Sequence, residues 1–330
     1  MERMILEFTI SMTAVFILTV LFTHKLIPYL KSKKMGQKIL EIGPRWHKSK
    51  DGTPTMGGAA FILATLIVSA LVTVYAFLFT DAGELRPLAL TLGLATINGL
   101  IGIIDDRCKL LKKENQGLLA YQKALLQILA AIVYLFALNR TGYIDTSLRI
   151  PFTSFELELG WFYYVFATVL IVGIVNSVNL TDGIDGLASG VTLIVGIFFA
   201  ALSFSFMSTS LSFASAALIG STLGFLVYNF NPARIFMGDT GSLFLGGMVV
   251  GCAFMINDPL IIVIVGLIYI IEAASVMIQV GVYKLTHGYR VFKMAPIHHH
   301  FEKCGWSERK VFFVFTTVTI LCSVIAWFAI

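Results

Sequence analysis

Residues 161–206, WFYYVFATVLIVGIVNSVNLTDGIDGLASGVTLIVGIFFAALSFSF, decide the fold. Two apolar runs, each long enough to cross a bilayer as helix, flank a short polar turn. The runs are apolar all round and lack the alternation of a membrane β-strand. They are therefore predicted to be α-helices, which satisfy their own backbone groups. Inside the turn Asn176, Asn179, Asp182 and Asp185 repeat at three-residue spacing. On an α-helix each such step turns the side chain by about 300°, so the four groups cover half a face. On a 3₁₀ turn, which Gly183 and Gly186 permit, they nearly eclipse. Polar groups at membrane depth are costly and usually mark function; the plain alternative is a polar loop joining two spans.

Similar runs recur along a chain that is 57% hydrophobic and only 13% charged. Ten spans are predicted, at about 4–30, 57–80, 88–104, 120–138, 161–178, 187–206, 211–228, 241–256, 260–284 and 307–330. The expectation is an all-α polytopic membrane protein with one integral-membrane domain over 1–330. The first span is too long for a signal-peptide core and lacks a small-residue cleavage site, so it is expected to stay. The segment 139–160 ends in the alternating Phe155-Glu156-Leu157-Glu158, which predicts a small hairpin.

Charge sets the orientation. The segments 31–56, 105–123, 179–186, 229–240 and 284–310 hold 19 of the 24 Lys and Arg residues. The positive-inside rule puts them in the cytoplasm and both termini outside. The net charge of +5 then reads as topology and attraction to anionic headgroups, and nucleic-acid binding is unsupported. The four cysteines, Cys108, Cys252, Cys304 and Cys322, form no CxxC pattern and no disulfide framework.

With that topology every unusual polar cluster falls on the cytoplasmic side. GIIDDRCK ends the third span, placing Asp105 and Asp106 at a helix C-terminus. There the dipole disfavours anions, and burial raises a carboxyl pKa, while Lys109 one turn later offsets it. The pair reads as a general base or metal ligand, or as a plain helix stop. YNFNPARIFMGDTGS, after the seventh span, offers oxygen ligands from Asn229, Asn231 and Asp239, with Gly238 and Gly241 for close backbone approach. Phe236 either stacks on a base or anchors the loop in the interface. MAPIHHHFE carries His298, His299 and His300. Three consecutive imidazoles cannot all face one ion from regular structure, so they suit phosphate oxygens better than zinc. SKDGTPTMGG places Lys50 beside a Gly-rich turn entering the second span, where a helix N-terminus favours anions. Hard oxygen ligands favour Mg²⁺ over zinc or copper. Together these groups point to phosphoryl transfer from a nucleotide-linked donor to a lipid phosphate.

The same segments carry a resemblance. NLTDGIDGLA, FMGDTGS, DDRCK, TPTMGG and above all MAPIHHHFE resemble the bacterial phospho-N-acetylmuramoyl-pentapeptide transferase family, within the polyprenyl-phosphate N-acetylhexosamine-1-phosphate transferases. The resemblance spans all five cytoplasmic segments. It implies transfer from UDP-N-acetylmuramoyl-pentapeptide to undecaprenyl phosphate, giving lipid I and UMP, with Mg²⁺ as cofactor. It further implies Asp239 as Mg²⁺ ligand, with Asp182 a second candidate, and Asp105 and Asp106 as the pair accepting or positioning the lipid phosphate. Lys50, Asn176, Asn179, Asp182, Asp185, Asn229, Phe236, Gly238 and Gln279 become the donor-pocket candidates. Lys109 and Lys123 match basic positions, and His298, His299 and His300 would contact the donor, with His298 among the catalytic candidates. Tyr121 stands where the family usually has Lys or Arg, and Ile184 replaces a Leu.

The implied location is the bacterial plasma membrane, and a homodimer is compatible with it. Two rivals stay open: a polyprenyl-phosphate N-acetylglucosamine-1-phosphate transferase, and a transporter of lipid-linked precursors. A transporter should carry ionisable residues near the midplane and an internal repeat. Here Glu272 is the main mid-span charge, and no repeat is evident.

Overall fold

Apolar runs of bilayer length, free of interior helix breakers in most cases, propagate as helices. The computed structural model describes residues 1–33, 35–36, 50, 52–79, 82–112 and 117–330. Most of the 31–56 segment, with Lys34, Lys38, Arg45 and Lys48, lies outside the described residues. Twelve α-helices follow in order: α1 Glu2–Ser32, α2 Gly58–Phe79, α3 Arg86–Lys112, α4 Ala120–Arg140, α5 Phe162–Thr181, α6 Leu187–Ser205, α7 Thr209–Asn229, α8 Gly238–Met255, α9 Ile261–Val265, α10 Leu267–Leu285, α11 Ile297–Lys303 and α12 Glu308–Trp327. Among the described residues ten of these are long and apolar enough to cross a membrane. The fold is thus an all-helical bundle of the polytopic membrane class.

Helices α7 and α8 form the centre, with α3 packed on α8 and both α1 and α6 on α7. Large apolar side chains of α4, such as Leu125, Leu129, Ile132 and Val133, are exposed at the periphery, as a lipid-facing helix requires. Close helix approach depends on missing side chains. A Cβ on Gly102 of α3 would lie 2.2 Å from the Asp239 carbonyl oxygen, and one on Gly58 of α2 would lie 2.2 Å from the Gly241 Cα. The N-terminus of α8 is therefore wedged against α2 and α3 at backbone distance.

The contacts sort the connections between two ends of the bundle. At one end Arg3 donates to Tyr75 at 3.1 Å, Thr209 to Glu84 at 2.9 Å, and Arg149 to the Ile330 carbonyl. The predicted hairpin is there too, pairing β1 Ser147–Arg149 antiparallel with β2 Glu156–Glu158. At the other end the polar segments between helices meet.

Predicted spans and observed helices agree to within a few residues, with three informative differences. Helix α3 does not stop at Asp105 and Asp106 but runs on to Lys112, so the pair lies inside the helix and the C-terminal dipole argument fails for it. The ninth span is broken at Gly266 into α9 and α10. Helix α8 begins at Gly238, bringing Asp239 into its first turn, where a helix N-terminus favours an anion.

Candidate active site

Three carboxylates meet where α3 crosses the start of α8. Asp105, Asp106 and Asp239 each offer an oxygen within 4.8 Å of the other two. Like charges at that spacing repel strongly unless cations stand among them. Lys109 does so from one turn along α3, with its Nζ 2.7 Å from Asp105 Oδ2, 3.2 Å from Asp239 Oδ2 and 3.8 Å from Asp106 Oδ1. Lys123, in the first turn of α4, adds its Nζ 2.7 Å from the same Asp239 oxygen. Asn179 donates to Asp239 Oδ1 at 3.1 Å and to Ser242 Oγ at 2.7 Å. Asp106 accepts from the backbone N–H of Asp239 at 3.2 Å and of Thr240 at 2.9 Å, and from the Thr240 hydroxyl at 2.8 Å. It acts as an N-terminal cap supplied from another helix. Gly238, at φ +69°, makes this junction: a Cβ there would sit 2.5 Å from Asp106 Oδ2.

Asp182, just past the end of α5, lies against this cluster. Its burial, and then the charges of Asp239, Asp106 and Asp185, push its carboxyl well above the usual carboxylate range. Among the described residues no lysine or arginine is paired with it. The three carboxylates of Asp105, Asp106 and Asp239 are a donor set that fits a hard divalent cation.

A second cluster surrounds Asp185. Its Oδ1 accepts from Lys50 Nζ at 2.6 Å, and its Oδ2 from Asn231 Nδ2 at 3.0 Å and the Ala233 N–H at 2.9 Å. Lys50 also meets the Glu308 carboxylate at 2.6 Å, which accepts the Asp185 N–H at 3.0 Å. Arg309 in turn donates to Asn231 at 3.2 Å. These bonds tie the 182–186 turn, the 230–236 loop, Lys50 and the start of α12 into one wall. Asn229 holds that wall from behind, donating to the Ile235 carbonyl at 3.0 Å while Ser189 donates to it at 3.3 Å. Phe236 pairs through its backbone with Pro54 and Gly57, leaving the ring half-buried.

The three histidines point three ways. His298 is fully buried, and its Nδ1 lies 2.9 Å from Oε2 of Glu272, equally buried on α10. Its Nε2 has no partner and abuts Gly183, where a Cβ would lie 2.1 Å away. His299 Nδ1 lies 2.7 Å from Glu302, and His300 Nδ1 accepts the Lys293 N–H at 3.1 Å. Gln279 exchanges two hydrogen bonds with the Phe292 backbone, at 3.0 and 3.2 Å, and so staples the 286–296 segment. Asn176 donates to Gln127 and to the Val172 carbonyl, both at 2.8 Å, one turn deeper in the bundle than Asn179.

The structure thus gathers Asp105, Asp106, Asp239, Lys109, Lys123 and Asn179 at one point, with the Asp182 carboxyl close enough to feel their charge. Lys50, Asp185 and Asn231 form the adjoining wall, backed by Asn229. Asn176, Gln279 and His300 sit in supporting bonds. Sequence reading missed Glu308 and Thr240. Thr240 stands inside FMGDTGS but was not singled out there, and only the acidic first turn of the last span hinted at Glu308. Glu272 was visible as a mid-span charge, but its pairing with His298 was not.

The chain has close relatives. Residues 88–257 match glycosyl transferase family 4. It is 45% identical over 312 residues, 94% of this chain and 95% of the relative, to the phospho-N-acetylmuramoyl-pentapeptide-transferase of Staphylococcus aureus strain bovine RF122 / ET3-1. The proteins of that name from S. aureus strains JH9 and Newman match to the same extent.

Proposed function

The chain belongs to the phospho-N-acetylmuramoyl-pentapeptide transferases of glycosyl transferase family 4, and we propose that it joins the phosphosugar of UDP-N-acetylmuramoyl-pentapeptide to undecaprenyl phosphate. It is a transferase of peptidoglycan synthesis in the bacterial plasma membrane. The observation that carries the finer reading is the cluster of Asp105, Asp106 and Asp239 laced by Lys109 and Lys123 at the polar end of a membrane bundle. That end is cytoplasmic in this reading, with both termini outside.

In the reaction an oxygen of the lipid phosphate attacks the sugar-linked phosphorus of the donor, and the bond from that phosphorus to the bridging oxygen breaks. UMP leaves and lipid I remains. A phosphate nucleophile is already anionic, so catalysis here is positioning and charge neutralisation rather than deprotonation of a weak acid. Asp239 and Asp182 would hold Mg²⁺, which supplies charge neutralisation to the diphosphate. Lys109 and Lys123 neutralise what the carboxylates leave over. Asp105 takes the proton from any monoanionic lipid phosphate. The wall of Lys50, Asp185, Asn231 and Phe236 seats the nucleotide, and the segment bearing His299 and His300 meets the muramoyl part. A route through an aspartyl-phosphate, with UMP leaving before the lipid attacks, uses the same carboxylates.

The test is UMP release by the purified protein supplied with the muramoyl donor, undecaprenyl phosphate and Mg²⁺. Release should require all three. Equal turnover of UDP-N-acetylglucosamine would overturn the donor assignment.

A further inference from the structure

A polar cavity opens at the same end of the bundle, outside the carboxylate cluster. It encloses about 660 Å³ between α1, α7, residues 52–54 and the 230–236 loop. His24 and Lys31 of α1 and Arg234 of the loop line it, and among the described residues no acidic side chain does. Among the described residues none of the three is ion-paired. Two cationic side chains, Lys31 and Arg234, with the His24 imidazole beside them, give the hollow a local positive potential that an anion would relieve.

The arrangement is built around Tyr228, at the end of α7. Its ring carries the Arg234 guanidinium 5.8 Å from the centroid and the His24 ring at 6.4 Å on a tilt. The Arg234 N–H is tied to the Tyr228 carbonyl at 2.7 Å. Stacking of this kind restricts a guanidinium that would otherwise be a freely moving surface charge. The cavity walls divide by chemistry. Ile27, Pro28 and Val227, on the two membrane helices, are apolar, whereas Gly52, Thr53, Pro54 and Ala233 belong to the polar segments. A ligand matching both halves has an anionic head and an apolar continuation. The volume exceeds what a bare phosphate needs and lies in the usual range for small-molecule sites.

We propose that this cavity seats the headgroup of an anionic phospholipid, its phosphate between Lys31 and Arg234 and its first acyl carbons against Ile27 and Val227. The site is separate from the carboxylate cluster but shares a loop with it. Ala233, next to Arg234, donates to Asp185, so an occupied cavity would restrain the wall beside the nucleotide seat.

Native mass spectrometry of the full-length protein, given phosphatidylglycerol or phosphatidylcholine, tests this. Each basic side chain near an anionic headgroup is worth roughly a five-fold factor in binding, so Lys31→Gln with Arg234→Gln should cut phosphatidylglycerol retention by about 25-fold. Phosphatidylcholine retention should not change. A control pair, Lys284→Gln with Lys303→Gln, removes two exposed charges outside the cavity and should leave the preference intact. Equal loss in the control, or unchanged retention in the cavity pair, would overturn the proposal. Displacement of the lipid by inorganic phosphate would assign the cavity to a soluble anion. Displacement by equimolar undecaprenyl phosphate would assign it to the acceptor. Either result refutes the phospholipid assignment.

Discussion

A buried carboxylate at membrane depth costs about 3 kcal/mol unless something at hand compensates it. Glu272 meets that condition through His298, both at zero exposure. A motif search sees three equivalent histidines in MAPIHHHFE, yet only His298 is committed to a partner on α10, with its far nitrogen against Gly183. We propose that this pair positions the 182–186 turn rather than touching substrate. Glu272→Gln keeps an acceptor for the Nδ1–H, whereas Glu272→Ala leaves a buried imidazole without a partner, a loss of about 1–3 kcal/mol. The alanine variant should therefore weaken donor binding in calorimetry by roughly five-fold or more, at 1.4 kcal/mol per decade, and lower the melting temperature. The glutamine variant should stay near wild type in both. Equal damage in the two would mean that charge, not the hydrogen bond, is what Glu272 contributes.

Among the elements, legibility followed periodicity. The runs around 187–206 and 211–228 became α6 and α7 almost unchanged, because a long apolar segment in a bilayer has no other way to satisfy its backbone. The alternation at Phe155 to Glu158 gave the hairpin strand. Boundaries at polar residues misled. Asp105 and Asp106 look like a helix stop, but hydrogen bonds from Leu118 and from the first turn of α8 satisfy them within α3. The break at Gly266 leaves no mark in hydropathy, since both sides are equally apolar. The tight seating of α8 was invisible for a different reason. Gly241 was read as allowing close backbone approach, but Gly58 and Gly102 are ordinary glycines in a sequence, and only the crossing of three helices shows which backbone each must touch.

Over the whole molecule, which segments share an end was legible from the basic residues, but which side chains meet was not. The four polar groups of the 176–185 ladder look like one surface. Folded, Asn179 turns to the Asp239 carboxylate, Asp185 joins the wall with Lys50, and Asn176 bonds inward to Gln127. The proposed orientation has its own check. Cys304 is exposed near His300, at the polar end. A membrane-impermeant maleimide should label it in inverted vesicles and leave it unlabelled in right-side-out ones; the reverse pattern would invert the topology. The central claim is that transfer occurs at the carboxylate cluster on which α3, α4, α5 and α8 converge. Asp239 is the point all four share, bonded to Lys109, Lys123 and Asn179 and leading the helix that Asp106 caps. Its replacement by asparagine keeps the shape and removes the charge. The most direct measurement is the rate of UMP release by Asp239→Asn beside wild type, with helix content and elution profile unchanged. Loss of an essential charge contact costs more than about 2 kcal/mol, so the variant should keep well under a tenth of the rate, and a variant keeping more than that would contradict the account.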